Sequence, residues 1–396
     1  MLLISPLARV LTCLIALLLL IPVAGIRLQD EARLVQFHNR NLNVLPPPDG
    51  FMRDPVEFFR QAKSWLADRA YPIQQASLLQ KKILFHAFKT PPQRRISLGS
   101  DGFIFVNGGS EETVNGILAN VCMNSHDEAM AAQLRGLLPS VIQFASSRGM
   151  AVDVVIVPTS MTLYADRLPT SVPQIYRDAC RERMQGHSPL LTLTAPPGLN
   201  FVYPLQAMKS ASSDEAFFPK GNWHPTGMSL KVVRDSYLDA LHVGKTVDDR
   251  LERGMGPSEI MNTYGIDVEL PVYFVRNPRV QFDAARNATF NTAIRERFTA
   301  SQATTRAYAN AAPLLEESVL MLSDSYGEFS SEVFAGAFRN VVQVTSNNLS
   351  REHVVDVVDR SAAAFKIDRL ILLVQEGGVG NLVVWANAFA AAPAMH

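Results

Sequence analysis

From residue 96 onward, short apolar runs alternate with amphipathic stretches. Runs rich in β-branched residues, such as VDVVIVP, SVLMLSDS and RLILLVQ, have the length and composition of buried strands. Residues 127–149 and 352–365 are amphipathic stretches, which predict helices that bury one face. The alternation predicts an α/β domain over residues 96–396, with a mostly parallel sheet flanked by helices. Within it the pattern weakens near residues 244–313, where we expect an irregular insertion.

The first 95 residues follow a different pattern. Residues 10–26, VLTCLIALLLLIPVAGI, form an uninterrupted apolar run, and its apolar flanks bring it near the roughly 20 residues that span a bilayer. Polar, helix-prone sequence follows at once, which favours an uncleaved anchor over a cleaved export signal. We therefore predict a membrane anchor or signal segment over residues 1–27, with the body on the periplasmic side of the inner membrane. Residues 28–95 predict a Pro-rich linker followed by amphipathic helices.

Composition narrows the possible partners. The chain has 396 residues, of which 47% are hydrophobic, and Lys plus Arg equals Asp plus Glu at 37 each. Because the chain has neither a net charge nor a run of basic residues, no nucleic-acid partner is expected. The cysteine spacing fits no zinc site, and the Gly-rich QEGGVG at 375–380 follows a predicted strand without a convincing helix after it, so we expect neither a metal nor a nucleotide cofactor. Cys122 and Cys180 either pair in an oxidising compartment or remain two buried thiols.

One stretch, SVLMLSDSYGEFSSEVFAGAF (residues 318–338), places an Asp-Ser pair between a predicted strand and a predicted helix. A strand that turns sharply into a helix holds the turn residue at the carboxyl edge of the sheet, where α/β proteins bind ligands. Ser325 is therefore a candidate nucleophile. The alternative is that Asp324 and Ser325 only cap the helix.

A serine nucleophile needs a base, and His224 is the histidine whose surroundings differ from the rest. It lies in FFPKGNWHPTGM, a loop rich in Gly, Pro and Trp before a predicted helix, and loops of this kind carry sites. Asn222, two residues earlier, can point inward with it. The alternative is a surface histidine in a turn.

Five segments, taken in order, resemble the SGNH-like alginate O-acetylation proteins of the AlgJ/AlgX type. They are LGSDGFIFV (98–106), VVIVPTSMTLYADRLP (154–169), NWHPTG (222–227), LMLSDSYGEFSSEVF (320–334) and RLILLVQEGG (369–378). In this family an Asp-x-His motif precedes a Gly-Asp-Ser motif, and members move acetyl groups onto exported polysaccharide in the periplasm. The resemblance covers nearly the whole chain after the predicted anchor and implies an SGNH-hydrolase-like fold.

The resemblance implies roles for individual residues. Residues 323–325, Ser-Asp-Ser, match Gly-Asp-Ser and make Ser325 the nucleophile. Two registers are open for the other motif. In one, Lys220 and Asn222 occupy the positions of the family's Asp and His. In the other, Asn222-Trp223-His224 is itself the Asp-x-His, with Asn222 orienting His224. Asp214 is a further candidate orienter.

Two functions are compatible with these residues. In the first, Ser325 takes an acetyl group from a donor or donor protein and passes it to a polysaccharide hydroxyl, with His224 as general base and acid. Oxyanion donors would come from the turn at Asp324 and Ser325, joined by Asn107 or Asn347 after two other predicted strands. In the second, the chain is an inactive polysaccharide-binding or scaffold protein that works with other exopolysaccharide-assembly proteins.

Overall fold

The structure is a computed structural model. It describes residues 42–69, 71–108, 113–211, 217–298, 305–347, 349 and 351–393. The predicted membrane segment, residues 10–26, lies outside these ranges, as does Asp214. Within them, no helix is both long and apolar enough to cross a bilayer.

The helices, in chain order, are α1 (Gly50–Arg53), α2 (Pro55–Arg69), α3 (Tyr71–Phe88), α4 (Gly116–Cys122), α5 (Asn124–Ser146), α6 (Ser160–Leu163), α7 (Gln174–Met184), α8 (Leu205–Ala211), α9 (Met228–Ala240), α10 (Glu259–Tyr264), α11 (Ala284–Ile294), α12 (Ser325–Ala335), α13 (Val354–Phe365) and α14 (Val379–Ala391). The strands are β1 (Ile96–Leu98), β2 (Ile104–Val106), β3 (Ala151–Val157), β4 (Leu199–Val202), β5 (Arg250–Pro257), β6 (Glu269–Arg276), β7 (Val280–Phe282), β8 (Thr305–Asn310), β9 (Leu315–Ser323), β10 (Phe338–Thr345) and β11 (Arg369–Gln375).

The chain divides into two compact units, one with residues up to Pro92 and Pro257–Glu269, the other with Gln93–Gly256 and the chain from Leu270 onward. The described part of the first unit contains α1, α2, α3 and α10, and α2 and α3 lie in the region for which the sequence predicts amphipathic helices. Its two chain segments are joined by an ion pair in which Lys82 Nζ lies 2.6 Å from Asp267 Oδ2. Ser258 caps α10 by accepting a hydrogen bond from the amide of Met261.

The second unit is built around a sheet that, in the described part of the chain, has seven strands in the order β4-β3-β11-β9-β10-β8-β7. The strands from β4 to β10 are parallel, and β8 and β7 are antiparallel at one edge. The parallel strands are nearly continuous apolar runs because both faces of such a sheet are covered, as in AVDVVIV of β3. The mixed α/β sheet with its flanking helices fits the predicted SGNH-like fold.

Two groups of helices flank this sheet. In one group, α5 packs on α14, where the rings of Phe144 and Phe389 stack with centroids 4.2 Å apart. In the other, α9 packs on α12, and α12 also contacts β8 to β11. Helix α12 therefore lies against the centre of the sheet, directly after β9.

The stretch 244–313 is more regular than the sequence indicated. Strands β5 and β6 form a two-stranded ribbon, while β7 and β8 extend the main sheet. Strand β7 has three residues, and β8 (TRAYAN) contains Thr, Arg and Asn, so neither carries the continuous apolar run of the parallel strands. The segment of β8 is a strand because it pairs antiparallel with β10. Such pairing between distant segments cannot be read from a single sequence.

Cys122 and Cys180 form a disulfide, so of the two alternatives the structure has the cross-link. Both cysteines are fully buried, and the bond joins the end of α4 to α7.

Candidate active site

Ser325 is the first residue of α12, directly after the carboxyl end of β9. Asp324 lies between them with an extended backbone, and its Oδ1 accepts a hydrogen bond of 2.9 Å from the amide of Tyr326. Its Oδ2 accepts one of 2.8 Å from the amide of Gln375, at the end of β11. Asp324 thus caps the helix and ties it to the neighbouring strand, while the Ser325 side chain stays half-buried at the sheet edge.

The Asp324 carboxyl is almost completely buried. Burial raises its pKa from 3.8 to about 6, although the amides of Gln375 and Tyr326 favour the charged form. Above that pH the charged carboxylate therefore lowers the stability of the folded state.

His224 meets Ser325 from a different part of the chain. Its Nε2 lies 2.8 Å from Ser325 Oγ, although 101 residues separate the two in sequence. The loop that carries His224 is closed by a 3.1 Å hydrogen bond from the amide of Thr226 to the carbonyl of Phe217. It ends at Gly227, whose φ of 43° and close approach to Tyr273 leave no room for a side chain, since a Cβ there would lie 2.3 Å from a carbonyl oxygen.

Aromatic rings enclose the imidazole. The ring of Phe329 stacks on His224 with centroids 4.7 Å apart and an interplanar angle of 23°. Tyr326 meets it edge-on at 5.2 Å and donates a 3.0 Å hydrogen bond from its hydroxyl to the carbonyl of Trp223. Neither ring is among the candidates that the sequence suggests; the position of Phe329 four residues after Ser325, on the same helix, is the sequence signal for its proximity.

Asn222 and Lys220, the residues of the other register, contact different parts of the protein. Asn222 is buried, and its backbone amide donates to the carbonyl of Pro219 in the same loop as His224. The Nζ of Lys220 lies 6.0 Å from the ring centroid of Phe103. In the register that takes residues 222–224 as the Asp-x-His motif, the histidine position is occupied by His224, whose ring nitrogen lies against Ser325 Oγ. The choice between the two registers stays a prediction.

The two predicted asparagine donors lie in different surroundings. Asn107 is buried after β2, its side-chain amide donates to Ser97 Oγ, and it makes no hydrogen bond to Ser325 or His224. Asn347 is exposed in the turn after β10. The amide of the preceding residue, Ser346, donates a 2.7 Å hydrogen bond to the carbonyl of Ser323, so this turn lies beside the one that carries Ser325.

The Gly-rich segment after β11 supports Asp324. Contrary to expectation, a helix does follow it, because α14 begins at Val379. The amide of Gly377 donates to the side chain of Gln375 at 2.6 Å, and a Cβ on Gly378 would lie 2.8 Å from Asp324 Oδ2. Glycine is required there because the turn passes so close to the carboxylate. The segment therefore packs on the residue before Ser325.

Glu376, in the same turn, is fully buried and fixes three parts of the sheet edge together. It accepts hydrogen bonds from the amide and hydroxyl of Thr159 at 2.8 and 2.9 Å, from Thr162 at 2.6 Å, and from the hydroxyl of Tyr203. Arg183 lies 3.8 Å away and supplies an opposite charge. Burial, together with the charge of Glu376, raises the pKa of Tyr203 well above its usual value. This cluster anchors the turn that holds Asp324.

Ser323, two residues before Ser325, is fully buried. Its hydroxyl lies so close to α12 that a Cβ on Gly327 would be 1.9 Å from it. Gln343 donates a 3.0 Å hydrogen bond to the same hydroxyl. A glycine in the first turn of the helix therefore makes room for the Ser323 side chain.

The described ranges contain no group of three or more His, Cys, Asp or Glu side chains arranged to hold a metal ion.

No family model and no curated protein matches the sequence. Solved structures do resemble it. Bacillus cereus PatB1 with a sulfonyl adduct is 10% identical over 72% of this chain and 97% of its own, with a TM-score of 0.46. The O-acetyltransferase domain of Pseudomonas putida AlgJ is 12% identical over 72% and 91%, with a TM-score of 0.42. Pseudomonas aeruginosa AlgX is 12% identical over 71% and 61%, with a TM-score of 0.36.

The resemblance to AlgJ and AlgX that the sequence suggested is confirmed in the sense that both are among the structures found. Because the identities and TM-scores are this low, the similarity assigns neither an activity nor a substrate to the chain. The activity and the substrate must be inferred from the geometry of the site.

Proposed function

We propose that this chain is a serine O-acyltransferase or acetylesterase of the SGNH-hydrolase type that acts on an exported polysaccharide. The observation that carries the proposal is the 2.8 Å contact between His224 Nε2 and Ser325 Oγ. It lies at the carboxyl edge of a parallel sheet and at a helix N-terminus, where ligands bind and negative charge is stabilised.

In the first half-reaction, neutral His224 accepts the hydroxyl proton of Ser325 as Oγ attacks the acetyl carbonyl carbon. The carbonyl oxygen becomes an oxyanion. The amides of Tyr326 and Gly327 both donate to Asp324, which leaves the amide of Ser325 in the first turn to donate to the oxyanion. Protonated His224 then gives its proton to the leaving oxygen as the bond to carbon breaks, and an acetyl ester of Ser325 remains.

In the second half-reaction, a sugar hydroxyl attacks the acetyl ester while His224 takes its proton. The second tetrahedral intermediate collapses, Ser325 leaves as the alcohol with the proton from His224, and the sugar carries the acetyl group. Water in place of the sugar hydroxyl gives hydrolysis, so acetylesterase activity is the reaction to assay first.

The residue at position 222 affects the rate that we expect for the proposed reaction. An asparagine oxygen can accept the Nδ1 proton of His224 and orient the ring, but it stabilises an imidazolium less than a carboxylate does. We therefore propose that Asn222 is the orienting residue and that the enzyme is slower than one with aspartate there.

Location and partners belong to the same proposal. Residues 10–26 would anchor the chain in the inner membrane, with the body in the periplasm, where a polysaccharide, an acetyl donor and other assembly proteins are within reach. The disulfide supports this location, because such bonds form and persist in oxidising compartments.

The test uses the full chain in detergent, with a fluorophosphonate as probe and an acetyl ester as substrate. We expect the probe to modify Ser325, identified by peptide mass spectrometry. Ser325→Ala and His224→Ala should each lower ester turnover by roughly a thousandfold or more, because such residues act as one unit. Asn222→Asp should keep or raise it. The exposed Ser171→Ala and His187→Ala are matched controls and should turn over the ester like wild type.

A wild type that neither reacts with the probe nor turns over the ester would refute the enzyme. The second candidate, an inactive polysaccharide-binding scaffold, would then stand, and the observation that favours it is the amide at position 222 in place of a carboxylate. If Ser325→Ala is inactive while His224→Ala is not, the nucleophile stands and His224 is not its base.

A further inference from the structure

Phe329 has an unusual environment for a large apolar side chain. It remains 40% exposed, although it lies on α12 one turn after Ser325. Its ring covers one face of the His224 imidazole in a nearly parallel arrangement, with centroids 4.7 Å apart and planes inclined by 23°. The ring is thus only partly buried, and what it contacts is the general base of the proposed reaction.

The same helix contacts the imidazole a second time. Tyr326 presents its ring to His224 at an interplanar angle of 61°, and its hydroxyl bonds the carbonyl of Trp223, the residue before His224. Helix α12 therefore carries the nucleophile and two rings that hold the base. A stacked ring restricts rotation of the imidazole about its Cβ–Cγ bond, and the edge contact limits its tilt.

We propose that Phe329 is a positioning residue for His224, and that its π face stabilises the imidazolium formed in each proton transfer. The inference rests on the proposed function. A cation is attracted to the face of an aromatic ring, and the face is what Phe329 presents. The ring adds no chemical step, because the proton moves only between oxygen atoms and His224 Nε2.

The test compares Phe329→Leu, which keeps an apolar side chain but removes the ring, with Phe329→Tyr, which keeps the ring. Readouts are the rate of fluorophosphonate modification of Ser325 and the separate kcat and KM for an acetyl ester. We expect Phe329→Leu to lower kcat and the modification rate about tenfold with KM nearly unchanged, from lost orientation together with lost cation–π attraction. Phe329→Tyr should stay within about twofold of wild type.

A double-mutant cycle with Asn222→Asp identifies what the ring acts on. If the ring stabilises the imidazolium, Phe329→Leu should cost only about threefold once an aspartate at position 222 also stabilises it. A full tenfold cost in both backgrounds would overturn the inference, and so would a Phe329→Leu effect confined to KM, which would make Phe329 a substrate contact. A wild type that reacts with the probe as fast as Phe329→Leu refutes the inference and leaves the proposed function intact. A wild type that does not react refutes both.

Discussion

The disulfide between Cys122 and Cys180 should contribute a large share of the stability of the second unit. The bond closes a loop with a sequence separation of 58 residues. In the chain-entropy model, closing a loop of that length in the unfolded state stabilises the fold by about 4 kcal/mol at 25 °C. Folded domains are stable by only about 5–15 kcal/mol, so loss of the bond should leave this unit near its unfolding threshold.

The bond also lies close to the candidate site. Val121, the residue before Cys122, approaches the turn after β11 so closely that a Cβ on Gly377 would be 3.0 Å from its side chain. That turn follows Gln375, whose amide holds Asp324. When the cross-link is lost, α4 is less firmly held against the turn. Modification of Ser325 by a fluorophosphonate should therefore slow before the unit unfolds.

The measurement is denaturant unfolding of the full chain, oxidised and reduced, beside the double variant Cys122→Ala/Cys180→Ala. We expect reduction to lower the free energy of unfolding of the wild type by about 4 kcal/mol and to leave the double variant unchanged. Cys13→Ser in every sample removes the third thiol. Equal stability of oxidised and reduced wild type would refute the entropic argument, and alkylation of both cysteines in the unreduced, unfolded protein would refute the bond itself.

Three further predictions concern the turn at Ser325. Gly327→Ala should lower the free energy of unfolding by about 1–3 kcal/mol, because its Cβ would lie 1.9 Å from Ser323 Oγ. Ser323→Gly in the same chain should restore the stability. If the double variant is destabilised as much as Gly327→Ala alone, the assigned contact is contradicted. Burial raises the pKa of Asp324 from 3.8 to about 6, so its charge opposes folding above that range and ceases to do so as the pH falls through it. Denaturant unfolding should therefore show wild type gaining roughly 2 kcal/mol relative to Asp324→Asn between about pH 7 and about pH 4.5, and a constant difference would show that the carboxyl does not titrate this way. Tyr326→Phe should cost about 1 kcal/mol of stability, since the carbonyl of Trp223 loses its donor while the ring contact remains, and calorimetry that finds no change would rule out a stabilising bond.

The amino-acid sequence by itself determined the local features of this protein. The β-branched runs, the amphipathic stretches and the Asp-Ser pair between them predict parallel strands, flanking helices and a strand–turn–helix at Ser325, and the structure has these elements. They follow from side-chain periodicity and helix capping, which act over a few residues and can be read from one sequence. Local sequence patterns did not predict β7 and β8, because these strands are defined by their pairing with neighbouring strands.

The arrangement of the site was decided by the tertiary structure. Strand β11 lies between β3 and β9, and this order brings the amide of Gln375 to Asp324. Packing of α12 and closure of the loop before α9 bring His224 to Ser325. Spacing could not decide whether Cys122 and Cys180 pair, since contacts between distant segments depend on how the whole core packs. For the same reason the side chain of Asn107, which follows a strand as predicted, donates a hydrogen bond to Ser97 and not to Ser325.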